Sequence, residues 1–142
     1  DRTDTLDLAH IKLPSLAWGE KAGTVTNSER CISRQRSFLK APSHAKADWW
    51  QMAEVGRRMG CADLFPWQSP AEIFKEYAAL SATENSGTRD FDIGAWSDRS
   101  EREYSKMEPF YWPDPNGGFE NAKPTRFFSN GKFSRQMTAQ GQ

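Results

Sequence analysis

The chain has 142 residues, of which 37% are hydrophobic and 13% aromatic, including six Trp and nine Phe. This length fits one domain or a piece of a larger one, and few aliphatic residues beside many rings predict a core rich in aromatic contacts. Its 19 basic and 19 acidic residues cancel, which excludes a general electrostatic attraction to nucleic acid or to an anionic membrane.

The first predicted element is a short strand over residues 8–14, LAHIKLP. Pro14 closes it, because proline has no amide hydrogen to donate to a sheet. Lys12 is unfavourable inside a fully buried strand, so we expect this strand at a sheet edge or near its own end.

Two further extended segments follow the loop that begins WGE. Residues 24–29 (TVTNSE) and 31–38 (CISRQRSF) contain the β-branched residues that strands favour, and they are divided near Arg30. Residues 40–48 (KAPSHAKAD) then form a connecting loop, since they carry no apolar periodicity.

The next segment predicts a helix that starts at Asp48 and stops before Gly60. Asp48 and Gln51 have the spacing of a capping box, and Gly60 suits the left-handed residue that ends a helix. Arg57 and Arg58 fall in the last turn, where cations complement the helix dipole. The predicted packing face consists of Trp49, Met52, Ala53, Gly56 and Met59.

A second capped helix is predicted from SPAE at residues 69–72. Ser69 is the cap, Pro70 the first helical residue and Glu72 the reciprocal acceptor. Its apolar stripe consists of Ile73, Phe74, Tyr77, Ala78 and Leu80.

A short third helix is predicted after Asp98, with Glu101 completing a capping box and Tyr104 and Met107 facing inward. Residues 108–124 contain four prolines and two consecutive glycines, which exclude long regular elements.

The carboxy-terminal part predicts a hairpin in RFFSNGKFS, where Asn130 and Gly131 lie between aromatic residues. The tail beyond it is expected to fray. These patterns together predict a mixed α/β fold with two well-capped helices, short strands and a C-terminal hairpin.

Motifs of common catalytic and metal sites are missing from the sequence. There is no dinucleotide fingerprint, P-loop or nucleophile elbow, and no apolar run reaches the ~18 residues of a membrane span. Cys31, Cys61, His10 and His44 lack the spacing of metal ligands, so both thiols are expected to be unpaired. We therefore identify no catalytic residue and no metal ligand.

The segment RCISRQR places three arginines on one face. If it is a strand, Arg30, Ile32, Arg34 and Arg36 project to the same side. Guanidinium groups there require partners. One interpretation pairs them with Glu20, Glu29 and Asp48. The other makes them, with Thr26 and Asn27, the rim of a site for an anionic ligand.

The run WGEKAGTVTNSER at residues 18–30 is characteristic of a known family. Together with SRQR, DWW and SPAEIF, it resembles the catalytic subunit of bacterial assimilatory nitrate reductases, which are bis-molybdopterin guanine dinucleotide oxidoreductases. The resemblance runs from Leu13 to Gly94 and continues more loosely to the predicted hairpin.

The resemblance implies an internal piece of a large cytoplasmic enzyme that reduces nitrate to nitrite by oxygen-atom transfer at molybdenum. Residues 1–107 would belong to the cofactor-binding α/β domain, and residues 108–142 would form a linker and hairpin leading toward a C-terminal barrel. The first residue, Asp1, also favours a fragment. Its partners would be the remainder of the enzyme, an electron-donor protein or subunit, and nitrate.

The motif places six candidate cofactor-binding residues near the pterin cleft: Glu20, Thr24, Asn27, Glu29, Arg30 and Arg34. The cysteines that hold the metal and the [4Fe-4S] cluster in such enzymes lie upstream of the matching region, so we expect no cofactor in the isolated chain and no activity from it. Cys31 stands where relatives usually carry a basic residue.

Two other interpretations remain open at this point. A formate dehydrogenase-like parent would share the glycine-and-TN motif. A non-catalytic binding module would use the arginine face and exposed aromatic residues to hold a protein partner.

Overall fold

A computed structural model describes residues 3–118 of the chain. The helices and strands are α1 (Asp4–Leu8), β1 (Gly23–Thr26), β2 (Cys31–Gln35), α2 (Asp48–Arg58), α3 (Pro70–Ala82), α4 (Glu101–Ser105) and β3 (Phe110–Tyr111). Three 3₁₀ turns lie at Trp18–Glu20, Ala62–Leu64 and Gly94–Trp96. The predicted mixed α/β character is confirmed.

The three strands form one antiparallel sheet in the order β1-β2-β3. Thr24 pairs with Arg34 and Thr26 with Ile32, while Ile32 also pairs with Phe110. Because strand side chains alternate, these residues share one face. Ile32 and Phe110 are buried there, so this face is the inner one, and the two extended segments predicted on either side of Arg30 are confirmed.

Helix α3 lies beside the sheet and starts as the sequence predicts. The Ser69 hydroxyl accepts from the amide of Glu72 over 3.4 Å, and Pro70 is the first helical residue. The Glu72 carboxylate accepts from the amide of Gln68 rather than that of Ser69. The buried residues are Ala71, Phe74, Ala78 and Ser81. Leu80, predicted on the apolar stripe, is 60% exposed.

The core lies between the inner face of the sheet, α3 and the segment around α4. Its buried members are Ile32, Ala71, Phe74, Ala78, Ile93, Trp96, Tyr104, Met107 and Phe110. The Trp96 and Phe110 rings stack with their centroids 4.3 Å apart, and the Phe74 and Tyr104 rings are 5.4 Å apart. Full burial of one such side chain contributes about 1.5–3 kcal/mol to folding. The predicted ring-rich core is therefore observed.

A buried asparagine organises the loop after α3. The Asn85 side chain donates to the carbonyls of Ser81 and Phe91 and accepts from the amide of Arg89. The Ser81 hydroxyl accepts from the amide of Ile93. These bonds satisfy backbone groups that would otherwise be buried without partners.

Helix α4 is short and has a capping box. Ser100 is the cap, and the Glu103 carboxylate accepts from the Ser100 amide and hydroxyl. These bonds from Ser100, then the Arg99 guanidinium, lower the pKa of Glu103 to about 2. The predicted capping box of Asp98 and Glu101 is wrong, because the cap is Ser100 and its reciprocal acceptor, three residues on, is Glu103. Tyr104 and Met107 are buried as predicted.

The predicted strand at residues 8–14 is wrong. Thr3 caps α1 by accepting from the amide of Leu6 over 3.3 Å. Residues 9–14 form no strand, since the nearby chain pairing is a single bridge between Ser15 and Lys46. Leu8 and Ile11 are 83% and 79% exposed.

Helix α2 begins at Asp48, but its predicted capping box is wrong. Ala47 holds the cap position, and the Asp48 carboxylate instead accepts from Lys21 Nζ over 2.5 Å and from the Ser15 hydroxyl. Gln51 donates to the carbonyls of residues 14 and 46. The bonds to Pro14, Ser15 and Lys21 join α2 to the chain preceding β1.

The predicted C-terminal end of α2 is confirmed, but its predicted packing face is only partly buried. Gly60 has φ of +88°, which confirms the left-handed stop, and the two arginines lie in the last turn. Ala53 and Gly56 are buried. Met52 and Met59, however, are 71% and 76% exposed, because the apolar contacts of α2 fall on its small residues.

From residue 106 to residue 118 the only regular element is the two-residue strand β3, as the prediction of no long element requires. The predicted hairpin at Asn130 and Gly131, and the tail, lie outside the described residues.

Candidate cofactor-binding hairpin

The turn of the β1–β2 hairpin is built by Asn27. Its side-chain oxygen accepts from the amides of Glu29 and Cys31, over 3.0 and 2.9 Å. Its own amide donates to the Cys31 carbonyl over 3.0 Å. A short side-chain amide that bonds its own backbone stabilises a tight turn. The TN pair of the motif therefore has a structural role in addition to any role toward a ligand.

Arg30 completes the turn in a left-handed conformation, with φ of 67°. A non-glycine residue there pays a conformational cost. Two contacts hold it, since its guanidinium lies 4.8 Å from the centroid of the Trp112 ring and its carbonyl accepts from the Trp112 amide. The arginine thus joins the turn to the strand end after β3.

Arg34 lies on the inner face of the sheet. Its guanidinium is 4.3 Å from the centroid of the Tyr104 ring, and Nη1 donates to the carbonyl of Gly23 over 2.6 Å and to that of Gln35. Arg36 donates to the carbonyl of Ser105 over 2.8 Å. Within residues 3–118 neither Arg34 nor Arg36 forms an ion pair, so the interpretation in which carboxylates neutralise the arginine face is wrong for these two.

Two polar atoms beside this contact are buried without a hydrogen-bond partner among the described residues: Arg34 Nε and the Tyr104 hydroxyl. Burial raises the pKa of Tyr104, and the Arg34 guanidinium partly opposes that shift. Unsatisfied buried polar atoms are costly in a finished fold. These two atoms are therefore an unfavourable feature at the junction of β2 and α4.

The remaining predicted site residues lie at different places on the hairpin and its approach. The Glu20 carboxylate accepts from the amide of Ala17 over 2.8 Å. Glu29 is exposed at the turn. Thr24 faces α3 and lines a cavity of about 220 Å³. The other lining residues of this cavity are Ala22, Gly23, Trp49, Pro70, Ile73, Phe74 and Tyr77. The structure brings Asn27, Glu29 and Arg30 together in one turn, and it places Glu20 and Thr24 elsewhere.

The sequence reasoning missed a second cavity, of about 480 Å³, against α4. Its lining residues are Trp96, Arg99, Arg102, Glu103, Lys106 and Met107. The basic residues at 99, 102 and 106 recur with helical spacing, which was the available signal. Glu103 pairs with Arg99 over 3.2 Å, which leaves Arg102 and Lys106 as the cations of the cavity available to an anion.

The described part of the chain offers neither a metal site nor a membrane-spanning helix. It contains no group of three or more His, Cys, Asp or Glu side chains that could hold a metal ion. None of its helices is long and apolar enough to cross a bilayer. Cys31 and Cys61 are both free thiols, as predicted.

The hairpin lies in the part of the chain that matches a known family. A sequence model of the molybdopterin oxidoreductase family matches residues 2–58, which include β1, β2 and α2. Because a nitrate reductase is also 55% identical over 78% of the chain, the chain belongs to the molybdopterin oxidoreductase family.

Two of the similar proteins are nitrate reductases. That of Klebsiella oxytoca is 55% identical over 111 residues, covering 78% of this chain and 13% of the relative. That of Shewanella frigidimarina is 40% identical over 134 residues, covering 93% of this chain and 14% of the relative. An F420-dependent formate dehydrogenase subunit of Methanococcus maripaludis is 41% identical over 78 residues, covering 55% of this chain and 12% of that protein. The chain thus spans about one-seventh of the length of these relatives.

Proposed function

We propose that the chain is part of a molybdenum-dependent nitrate reductase that converts nitrate to nitrite by oxygen-atom transfer. The observation that carries this proposal is the extent of the similarity, which reaches 93% of the chain for one nitrate reductase and 55% for the formate dehydrogenase subunit. The full-length enzyme in this proposal is cytoplasmic and assimilatory, and it receives its electrons from a donor protein or subunit.

The chain would contribute to the cleft of a bis-molybdopterin guanine dinucleotide. Its hairpin fits the polar edges of such a group, because the Glu29 carboxylate and the Asn27 side-chain nitrogen have no partner among the described residues. A carboxylate accepts and an amide nitrogen donates, as recognition of a pterin or guanine edge requires.

The basic cavity beside α4 supports the same assignment through its charge. Its volume falls within the ~300–1,000 Å³ of small-molecule sites, and Arg102 and Lys106 provide donors suited to phosphate oxygens. Molybdenum held by the cofactor would supply the redox chemistry. The residues of this chain would bind and orient the organic part.

An iron–sulfur cluster does not fit this chain on its own, since [4Fe-4S] clusters need about four cysteine ligands and the whole sequence has two. We assign any [4Fe-4S] cluster to other parts of the enzyme. In this proposal, residues 1–107 belong to the α/β cofactor domain and residues 108–142 to a linker and hairpin.

A formate dehydrogenase-like parent is the second candidate, favoured by the 41% identity over 78 residues. The two are separated by assaying the full-length enzyme with reduced viologen and nitrate, and with oxidised viologen and formate. We expect nitrite formation and no formate oxidation. Formate oxidation without nitrite formation would overturn the nitrate reductase proposal.

The role of the hairpin is tested in the full-length enzyme by Glu29→Gln. We expect the molybdenum and pterin content per protein to fall several-fold, because the amide is no longer a charged acceptor. Glu84→Gln, another exposed glutamate with no partner within residues 3–118, is the matched control and should leave the content unchanged. Equal cofactor content in both variants would remove Glu29 from the site.

A further inference from the structure

Three large apolar side chains are exposed at and around the WGE turn before β1. Trp18 is 67% exposed, Phe38 77% and Leu39 56%. Phe38 and Leu39 lie directly over Gly19, which is itself buried beneath them. We call this surface, formed by Trp18, Phe38 and Leu39, the Trp18 patch.

Backbone hydrogen bonds fix the patch. The Gly19 carbonyl accepts from the amides of both Phe38 and Leu39, each over 2.9 Å. The Trp18 carbonyl accepts from the Gln35 side chain over 2.8 Å. The two chain segments that carry the three side chains are thus joined to each other and to the end of β2, so the patch is ordered before any partner arrives.

Gly19 is required for this arrangement. A Cβ atom there would lie 2.7 Å from Leu39 Cδ1 and 2.9 Å from Phe38 Cζ. These distances are shorter than van der Waals contact, so any larger residue would push the two side chains away. The glycine of the WGE run therefore permits a close packing whose result is an exposed apolar surface.

A fixed surface of one Trp, one Phe and one Leu is unusual on a protein that is complete by itself. Contiguous exposed apolar patches mark interaction sites, and Trp and Phe are enriched at the buried centres of interfaces, where charged residues are depleted. The occupant is indicated by length, since the chain spans 13% and 14% of two nitrate reductases. A polypeptide of that size has ample further chain to cover the patch.

We propose that the Trp18 patch is an interdomain contact, covered in the full-length enzyme by an apolar surface from a part of the same polypeptide outside these 142 residues. The inference rests on one part of the proposed function, namely that the chain is a piece of a longer enzyme. It gives the WGE run a second role, which is to dock the hairpin onto the rest of the protein and thereby fix the position of the cofactor residues.

Hydroxyl-radical footprinting with mass spectrometry tests the contact directly. The oxidation rate of Trp18 is measured in the 142-residue chain and in the full-length enzyme. We expect it to fall roughly fivefold or more in the full-length enzyme, because a side chain at an interface centre loses nearly all of its solvent exposure. Phe110, which is 1% exposed, should be protected in both proteins and reports that the chain is folded.

Equal Trp18 oxidation in the two proteins would overturn the proposal. Protection that grows with the concentration of the 142-residue chain would also overturn it, because the occupant would then be a second copy. The readout is independent of activity, so an enzyme that protects Trp18 but does not reduce nitrate would contradict only the proposed function.

A variant pair supplies the second measurement. Trp18→Ser with Phe38→Ser should leave the melting temperature of the 142-residue chain unchanged, since both side chains are exposed there, and should lower that of the full-length enzyme by several degrees. The matched control is Leu80→Ser, a change of another exposed apolar residue (60% exposed) outside the patch, which should be neutral in both. An unchanged melting temperature of the full-length double variant would count against the contact.

Discussion

The two halves of the described chain bury their apolar residues to very different extents. From Ala71 to Phe110 the chain supplies most of the buried core, including the stacked Trp96 and Phe110 rings. Before α3, the buried hydrophobic residues among those described are Ile32, Ala45 and Ala53, and large side chains such as Ile11 and Phe38 are exposed.

The residues that match the family model and the residues that form most of the buried core therefore lie in different halves of the chain. The family match covers residues 2–58, which is the half with the smaller core. That half is held by specific polar contacts instead, such as the Lys21–Asp48 ion pair and the Asn27 turn. The residues that match the family therefore lie mostly outside the core, and most of the buried core comes from the second half.

The largest expected effect is the loss of the ring stack that joins the sheet to the second half. Phe110→Ala should lower the free energy of unfolding by about 3–5 kcal/mol, because it removes a fully buried ring and leaves a cavity. Urea denaturation followed by Trp fluorescence measures it. Leu39→Ala, in the half with the smaller core, should cost about 0.5 kcal/mol or less, as exposed substitutions do. Similar losses for both would mean that the contrast between the halves is wrong.

Removal of the buried amide in the loop after α3 should come next. Asn85→Ala leaves the Arg89 amide and two carbonyls without their partner, and each unsatisfied buried group costs about 1–3 kcal/mol. We expect a total loss of about 2–4 kcal/mol, measured in the same way, because such losses in one network are not additive. Ser86→Ala, one residue away and exposed, is the control and should be neutral.

How far the sequence could predict this molecule depends on whether the signal was local. The Ser69 cap, Gly60 and the two strands around Arg30 follow from neighbouring residues, and all were predicted. The strand at residues 8–14 failed because a strand needs a partner, which a local pattern does not reveal. Asp48 failed as a cap because Lys21 and Ser15, distant in sequence, bind its carboxylate.

The candidate site was predictable to a similar degree. Alternation along β2 placed Arg34 on the same side as Ile32, and the strand register agrees. That the arginine would stack on Tyr104 could not be foreseen, because this contact joins residues 70 positions apart in a tertiary arrangement. The roles of the six candidate residues toward the cofactor stay predictions.

A smaller effect is expected at the start of α3. Ser69→Ala removes the acceptor of the Glu72 amide and should cost about 1 kcal/mol, the usual loss for a helix cap. Thermal unfolding by circular dichroism measures it. Ser69→Asp retains an acceptor at the cap and should restore stability to near that of the original chain. No rescue by aspartate would mean that the Ser69 hydroxyl acts through some other contact.

The smallest effect, on pH dependence, tests whether the two halves unfold together. The Ser100 bonds hold the pKa of Glu103 at about 2, below its ordinary 4.5, and the Lys21 hydrogen bond lowers that of Asp48. A carboxylate with a depressed pKa stabilises the fold above its unfolded pKa, and this stabilisation is lost as pH falls through the folded value. For Glu103 the loss falls between about pH 4.5 and 2.

Glu103→Gln should therefore make the melting temperature fall less steeply over that pH range. Asp48→Asn should have a similar but smaller effect over the acidic range in which Asp48 takes up a proton. If the halves form one cooperative unit, both variants alter the same transition. If the half with the smaller core opens first, Asp48→Asn changes an earlier transition and Glu103→Gln a later one. Scanning calorimetry from pH 7 to about pH 2 distinguishes these results, and we expect the second, because the two halves bury such different amounts of apolar surface.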